Sequence, residues 1–159
     1  MAEPLWTLGE IVSATRGTCL GAREAPVTGF TIDTRSLGKG DGFVAIRGPN
    51  RDGHGFVAAA LDLGAACAIV DGTFPLGDEE RLVRVGETLE ALNDLGRAAR
   101  TRATDTRVIA VTGSAGKTGS KEALRLALAA SGSVHASAKS FNNHWGVPLS
   151  LANMPKDVR

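Results

Sequence analysis

The sequence is poor in aromatic residues and in cysteine, and both shortages exclude classes of protein. Tyrosine is absent and aromatic side chains make up only 4% of the 159 residues, so the base-stacking surface of a single-strand nucleic-acid binder is not expected. The two cysteines, Cys19 and Cys67, lack the spacing of metal ligands, and we expect no disulfide between them. Cys67 lies in an apolar run and is expected to be buried. This cysteine usage fits a reducing, cytoplasmic compartment.

An excess of charge of one sign and long apolar runs are missing as well. The formal net charge is +1, which gives no reason to expect a nucleic-acid partner. No apolar run approaches the roughly 18 residues of a membrane-spanning helix, and the N-terminus lacks the basic and apolar regions of a secretory signal. The three histidines are widely separated and do not suggest a metal site. We therefore expect a cytoplasmic globular protein without a membrane span. A monomer is expected as well, although no feature of the sequence reveals the oligomeric state.

The most informative segment is residues 108–122, Val-Ile-Ala-Val-Thr-Gly-Ser-Ala-Gly-Lys-Thr-Gly-Ser-Lys-Glu. Its apolar start predicts a strand at 108–112, and a helical pattern follows over 117–130. Between them, Gly113 and Gly116 let backbone N–H groups approach phosphate oxygens, to which the start of the helix adds the positive end of its dipole. Lys117 can reach the β- and γ-phosphates, and the Thr118 hydroxyl can bind Mg²⁺. The segment predicts a nucleoside triphosphate site, although Val111 stands where the longer consensus G-x-x-x-x-G-K-[ST] has its first glycine.

The remaining pattern predicts an α/β fold. Thr7 and Glu10 have the spacing of a capping box and predict a helix over 7–14. Strands are predicted at 29–32, 42–46, 66–70, 82–85 and 133–136, and further helices at 56–63, 87–102 and 147–154. The strand, helix and strand between residues 42 and 70 form a compact βαβ unit, in which Phe43 is expected to belong to the core.

The natural division of the chain lies near residue 86. Residues 1–85 are predicted to form a small α/β domain, and residues 86–159 the start of a phosphate-loop domain with a mostly parallel sheet. A doubly wound nucleotide-binding sheet usually has four or five strands or more, whereas this second part supplies about two. We therefore expect the chain to be the N-terminal piece of a larger protein, to be inactive alone, and to fold more stably in its first domain than in its second.

Four further segments make the pattern specific. They read Asp33-Thr34-Arg35, Gly40-Asp41-Gly42-Phe43-Val44-Ala45, Asp52-Gly53-His54-Gly55-Phe56, and Phe141-Asn142-Asn143 followed by Gly146-Val147-Pro148-Leu149. In this order, and together with the short phosphate loop, they resemble the Mur ligases of peptidoglycan synthesis over nearly the whole chain. The resemblance covers roughly the first third of such an enzyme. It implies a UDP-sugar-binding domain followed by the beginning of an ATP-binding domain.

The resemblance also implies roles for individual residues. At the UDP-sugar site it places Ile32, Thr34, Arg35, Pro49, Asn50, Arg51, Asp52 and His54, with Arg35 suited to the diphosphate because guanidinium pairs with phosphate oxygens. At the ATP site it places Gly113, Ser114, Ala115, Gly116, Lys117, Thr118 and Gly119, with Mg²⁺ on Thr118. Gly119 stands where the family often has a hydroxyl residue. Asn142 and Asn143 could bind nucleotide or substrate, or could cap the following turn, and residues 33–35 and 52–53 could be plain turns.

The activity that the resemblance implies is ATP-driven amide ligation through an acyl phosphate. The Phe-Asn-Asn segment is most similar to the member of the family that joins D-alanyl-D-alanine to UDP-MurNAc-tripeptide, which makes these two small molecules and ATP with Mg²⁺ the expected partners. Two alternatives remain open at this point. One is the sister ligase that adds a diamino acid at the preceding step, and the other is a non-catalytic module that binds a UDP-sugar or a nucleotide.

Overall fold

The structure is a computed structural model that describes residues 4–49, 51–137 and 144–158. Its strands are β1 (Trp6–Thr7), β2 (Pro26–Val27), β3 (Phe30–Thr31), β4 (Gly42–Val44), β5 (Cys67–Asp71) and β6 (Leu82–Val85). Its α-helices are α1 (Leu8–Thr15), α2 (Val57–Asp62), α3 (Thr88–Arg102), α4 (Lys117–Leu128) and α5 (Gly146–Ala152), and short 3₁₀ helices span Thr34–Ser36 and Gly53–Phe56. No helix among the described residues is long and apolar enough to cross a membrane.

A four-stranded parallel sheet forms the centre of the molecule, with the strands in the spatial order β3-β4-β5-β6. β1 and β2 form a separate antiparallel pair, which the sequence analysis did not predict. The predicted βαβ unit is confirmed, because β4 and β5 are parallel neighbours joined through α2. Parallel strands with helical connections of this kind are the mixed α/β architecture that the sequence pattern predicted.

Local capping interactions explain where the first helices begin. The Thr7 hydroxyl accepts from the backbone N–H of Glu10 at 3.2 Å, and the Glu10 carboxylate accepts from the Thr7 N–H at 2.7 Å, which confirms the predicted capping box. The Glu87 carboxylate caps α3 in the same manner, by accepting from the N–H groups of Leu89 and Glu90.

Alternate residues of each strand pack on opposite faces of the sheet. On one face Val44, Ile69 and Val83 belong to a cluster that contains residues of α1 and α3. On the other face Phe43, Ala68, Val70 and Leu82 pack with Val57 and Ala60 of α2. The period of two is that of strands buried on both sides. Phe43 and Cys67 are buried as predicted, and burial raises the pKa of the Cys67 thiol to about 12. In the sequence, Phe56 and Leu63 fall on the apolar face of the helix predicted at 56–63, but in the structure they flank α2 at its two ends and both are exposed.

Helices α3 and α5 belong to the same apolar cluster as the sheet. Leu92 and Leu95 of α3 and Leu149 and Ala152 of α5 are buried in it. The two helices approach closely at Gly96, where an added Cβ would lie 3.1 Å from the Cα of Pro148. The chain after residue 86 therefore contributes two helices to the core around the sheet, and the division into two domains at that residue stays a prediction.

The two strands predicted beside the phosphate loop are not formed. Residues 108–112 and 133–136 are irregular rather than extended in a sheet, and Val108 and Ile109 are each 54% exposed. Helix α4 forms over most of its predicted length, but none of its residues is buried. The strand prediction was wrong because an apolar run becomes a strand only when another strand accepts its hydrogen bonds, and no described strand lies beside these residues.

Both outer edges of the parallel sheet are covered. Along β6, Thr18 exchanges two backbone hydrogen bonds with Arg84, each 2.9 Å long. Along β3, the side-chain amide of Asn153 takes the place of a neighbouring strand beside Phe30. The backbone N–H and carbonyl groups of Arg84 and Phe30, which face away from the sheet, are thereby each hydrogen-bonded by a single residue.

Candidate functional sites

The predicted phosphate loop is an open turn in front of α4. Gly116 caps the helix with a φ of 77°, and Gly113 has a φ of 147°. Both values lie in the region that favours glycine, which explains why these residue types are needed there. The residues from Thr112 to Gly116 are exposed, so the backbone is accessible to a ligand. The loop can therefore present N–H groups and the positive end of a 12-residue helix to an anion.

Lys117 closes over this loop. Its ammonium group donates a hydrogen bond to the carbonyl oxygen of Gly113, so the cation lies across the turn that the two glycines form. A bound phosphate would offer the ammonium a charged acceptor in place of a neutral carbonyl, and charge-assisted hydrogen bonds are the stronger kind. Lys117 is thus already positioned at the loop that it is predicted to serve.

A cavity of about 1040 Å³ adjoins the phosphate loop. It lies between the loop, helix α4, the segment 131–137 and helix α5, and its apolar lining includes Val108, Ile109, Leu124 and Leu151. Its size falls at the upper end of the range of small-molecule sites. The lining also contains the cationic residues Lys117, Lys121 and Arg125, so an anionic ligand could be held beside the phosphate loop.

At the start of α4 the described residues offer a divalent metal the hydroxyl of Thr118. Thr118 lies in the first turn of α4, where the sequence analysis placed a Mg²⁺ ligand. Among the described residues, no group of three His, Cys, Asp or Glu side chains could hold a metal ion. This arrangement fits Mg²⁺ bound largely through water and phosphate oxygens, which is how that ion is commonly held beside nucleotides.

The predicted UDP-sugar residues follow β3 and β4. Ligands of parallel α/β sheets bind outside the carboxyl ends of the strands, and Ile32, Thr34 and Arg35 directly follow β3 there. Asp33 caps the 3₁₀ helix Thr34–Ser36 and receives hydrogen bonds from the Arg35 guanidinium at 2.6 to 3.1 Å. This pairing raises the pKa of Arg35. Because the Arg35 side chain is still 85% exposed, it is accessible to a diphosphate.

The loop after β4 is held by a histidine between two aspartates. Asp52 caps the 3₁₀ helix Gly53–Phe56 and accepts from the backbone N–H of His54 at 3.0 Å and from its ring Nδ1 at 2.6 Å. The N–H of Asp71 donates to His54 Nε2 at 3.1 Å, so Nε2 is the acceptor and Nδ1 carries the proton. Hydrogen bonds from His54 lower the pKa of Asp52 to about 2, and the bond from the backbone N–H contributes more than the bond from the side chain.

Two residues that the sequence analysis missed complete this network. The Arg47 guanidinium lies 3.0 Å from the Asp52 carboxylate and 3.2 Å from that of Asp71. Asp71 in turn accepts from the N–H and hydroxyl of Thr73 at 2.9 and 2.5 Å, and the Thr73 hydroxyl chiefly lowers its pKa. The available signal was an acidic residue at the end of a buried strand, at the sheet edge where the predicted ligand residues also lie.

The predicted site residues therefore fall into two groups. Seven described residues follow β3 and β4 at one edge of the sheet, namely Ile32, Thr34, Arg35, Pro49, Arg51, Asp52 and His54. Pro49, Arg51 and Asp52 are exposed, whereas the ring of His54 is only 9% exposed and is engaged with the two aspartates. Gly113 to Gly116 form the separate phosphate loop, and Lys117 to Gly119 begin the helix that follows it. Asn50, Asn142 and Asn143 lie outside the described residues.

Comparison with known protein families gives matches over both groups of predicted site residues. A parallel sheet with polar loops at its carboxyl edge, followed by a phosphate loop, defines the class of α/β proteins that bind phosphorylated ligands. The family model of the Mur ligase catalytic domain matches residues 26–100, and that of the Mur ligase middle domain matches residues 111–159. The chain belongs to the Mur ligase family.

Several relatives share one described activity. The UDP-N-acetylmuramoyl-tripeptide--D-alanyl-D-alanine ligase of Bacillus subtilis is 34% identical over 155 residues, which are 96% of this chain and 34% of that protein. The ligase of the same description from Rickettsia prowazekii is 38% identical over 80% of this chain and 28% of its own length. The chain thus spans about a third of the length of these relatives.

Solved structures of the same family superpose on this chain. A crystal structure of MurF from Acinetobacter baumannii superposes with a TM-score of 0.85 at 32% identity, over 99% of this chain and 34% of that one. The MurF ligase of Thermotoga maritima in complex with ADP gives a TM-score of 0.62 at 30% identity, over 82% of this chain and 30% of that one. These superpositions confirm the mixed α/β fold class.

Proposed function

We propose that the protein is an ATP-dependent amide ligase that joins D-alanyl-D-alanine to UDP-MurNAc-tripeptide in the cytoplasm. The observation that carries the proposal is the presence, in one chain, of a glycine phosphate loop with Lys117 in place and a second ligand edge at the carboxyl ends of β3 and β4. Curated relatives that match nearly the whole chain are described as UDP-N-acetylmuramoyl-tripeptide--D-alanyl-D-alanine ligases. We further propose that the protein acts as a monomer.

The proposed reaction has two steps that balance without a redox partner. The terminal carboxylate of the tripeptide attacks the γ-phosphorus of ATP, which forms an acyl phosphate and releases ADP. The amine of D-alanyl-D-alanine then attacks the acyl carbon, inorganic phosphate leaves, and the amine gives up a proton. Mg²⁺ bound near Thr118 would neutralise charge on the phosphates.

Each part of this chain has a physical task in that reaction. The loop N–H groups and Lys117 hold the phosphates of ATP and offset the negative charge that develops on the transferred phosphoryl group. The exposed guanidinium of Arg35 and the exposed loop residues after β4 bind the diphosphate and uridine of the other substrate. The reaction is accelerated because the two anionic reactants are held together in one orientation, whereas free in solution they would repel each other.

The test is phosphate release by the whole protein that carries this chain. Release is expected only when ATP, UDP-MurNAc-tripeptide and D-alanyl-D-alanine are all present, and Lys117→Ala should lower the rate by a factor of about 100 or more. Lys39→Ala is the matched control, since Lys39 is an exposed lysine outside both groups of predicted site residues, and it should leave the rate unchanged. No release with the three substrates would refute the proposal.

The sister ligase is the second candidate, and one relative supports it. A UDP-N-acetylmuramoyl-L-alanyl-D-glutamate--2,6-diaminopimelate ligase from Chlorobaculum tepidum is 38% identical over 70% of this chain and 22% of its own length. Replacing the substrates by UDP-MurNAc-dipeptide and a diamino acid in the same assay separates the two reactions. Release with that pair alone would favour the sister activity.

A further inference from the structure

Strand β3 leads directly into residues of the proposed UDP-sugar site, and within the described part of the chain it has a strand neighbour on one side only. It is the first strand of the sheet order β3-β4-β5-β6, and it is two residues long, Phe30–Thr31. Ile32, Thr34 and Arg35 follow at once. A strand this short, paired on a single side, is weakly fixed by its own ladder. Whatever holds its outer edge therefore influences where these residues lie.

The outer edge is held by one side chain from the far end of the chain. Asn153 Oδ1 accepts from the N–H of Phe30 at 2.7 Å, and Asn153 Nδ2 donates to the Phe30 carbonyl at 2.9 Å. The same Nδ2 group also donates to the carbonyl of Leu149 at 3.0 Å. The orientation of the amide is fixed by chemistry, because a backbone N–H can only donate and the two carbonyls can only accept. All three of these hydrogen bonds are lost if the amide is removed.

The surroundings of Asn153 favour this contact. Gly29 leaves the space that the amide occupies, since a Cβ at that residue would lie 2.7 Å from Asn153 Oδ1. The preceding residue, Ala152, accepts a hydrogen bond from the indole N–H of Trp6 at 2.8 Å, and α5 itself packs against α3. Asn153 is therefore presented to β3 by a helix that is anchored on the core.

We propose that Asn153 is a positioning residue for the UDP-sugar site. By pairing with both backbone groups of Phe30, it holds the start of the segment that carries Ile32, Thr34 and Arg35, and it ties that segment to the end of α5. This role rests on the proposed function, because it concerns the UDP-sugar substrate of that reaction. The hydrogen bonds of the Asn153 side chain go to the backbone of Phe30 and Leu149, so its effect on the site would be exerted through the strand.

The test compares Asn153→Ala with Thr106→Val in the whole protein. Asn153→Ala should raise the KM for UDP-MurNAc-tripeptide about fivefold to tenfold, because part of the free energy of its hydrogen bonds is lost, and should leave kcat and the KM for ATP unchanged. Thr106→Val removes another buried hydrogen bond from a side chain to the backbone, from Thr106 Oγ1 to the carbonyl of Val158. It does not touch β3 and should leave all three constants unchanged.

Amide hydrogen exchange provides a direct readout of the contact. In Asn153→Ala the N–H of Phe30 loses its acceptor and should exchange at least about tenfold faster, in line with the loss of a hydrogen bond of about 1.4 kcal/mol or more. Gly29→Ala is a second variant, which displaces the amide without deleting it and should have the same effects on exchange and on KM.

The outcomes separate the two proposals. An unchanged KM for the UDP-sugar in both variants, in a protein that turns over, would overturn the role of Asn153 and leave the proposed function intact. If the unmodified protein does not turn over UDP-MurNAc-tripeptide at all, the proposed function is overturned, and this role with it. Equal rises of that KM in Thr106→Val and Asn153→Ala would show a general loss of structure and would also overturn the role.

Discussion

At the scale of single residues, Asp71 is the centre of the network that fixes the loop after β4. It receives two hydrogen bonds from Thr73 and an ion pair from Arg47, with only 14% of its side chain exposed. Asp71→Ala should therefore lower the free energy of unfolding by about 1 to 3 kcal/mol, since Thr73 and the Arg47 guanidinium lose a charged acceptor that is itself largely shielded from water. Urea denaturation followed by circular dichroism measures the change.

The control for Asp71 is an aspartate in an exposed pair. Asp78 bonds to Arg81 on the surface, where both side chains are more than a third exposed. Asp78→Ala should cost less than about 1 kcal/mol, because water competes for such pairs. Equal losses in the two variants would contradict the structural role given to Asp71.

The lowered pKa of Asp52 predicts how the stability of the folded protein depends on pH. Its pKa is about 2 in the folded protein against an ordinary value of 3.8. A carboxyl group whose pKa is lowered by folding stabilises the protein above its unfolded pKa, and this contribution is lost as the pH falls through the folded value. The midpoint of urea unfolding should therefore decrease between about pH 4 and pH 2, and less steeply in Asp52→Asn. Parallel curves for the two proteins would refute this assignment.

The sequence predicted some of these residues and missed others for a physical reason. Lys117 and Gly116 could be found because their functions depend on neighbours within one short loop. Arg47 and Asp71 could not, because they meet only through the register of two strands, in which Val44 lies opposite Ile69. That register depends on the packing of both faces of the sheet, which no local pattern contains.

At the scale of secondary-structure elements, the contact between α3 and α5 depends on Gly96. Any larger side chain there meets Pro148, since even a Cβ would approach the Pro148 carbonyl oxygen to 3.2 Å. Gly96→Val should destabilise the protein by about 1 to 3 kcal/mol through overpacking. Thermal unfolding measures this loss. Arg97→Val, at an adjacent residue that is 76% exposed, is the matched control and should change stability by less than about 1 kcal/mol.

The helices and the sheet strands were predictable because their partners lie within the chain. The capping box of α1 and the apolar runs of β4 to β6 are local signals, and the structure pairs or packs each of these elements. The same kind of signal at 108–112 and 133–136 gave wrong predictions, because no described strand pairs with those residues. An apolar run shows that a segment can be buried and does not show what will cover it.

At the scale of the whole molecule, burial is uneven along the chain. The sheet, α1, α3 and α5 share one core, whereas α4 has no buried residue and Val108 and Ile109 are exposed. Limited trypsin digestion of the 159-residue chain should therefore cut first after Arg107, Lys117, Lys121 or Arg125, because local opening is least costly where few apolar contacts exist. Mass spectrometry of early digests identifies the sites.

The core around α5 adds a second expectation to that experiment. After such a cut, the fragment that contains α5 should remain bound to the N-terminal fragment through α3 and should elute with it in native size-exclusion chromatography. Separation of the two fragments would contradict the packing of α5 in the common core. The predicted first domain would then be the part that folds alone.

The contacts that Thr18 and Asn153 make at the two edges of the sheet can form only at different times during synthesis on the ribosome. Thr18 precedes every strand of the parallel sheet, so the β6 edge can be closed as soon as β6 itself has emerged. Asn153 follows all of them. The β3 edge therefore stays open while the whole intervening chain is translated, and an open edge can accept a strand from another nascent molecule. Two neighbouring polypeptides on one messenger RNA would be most vulnerable to mispairing at β3 during that interval.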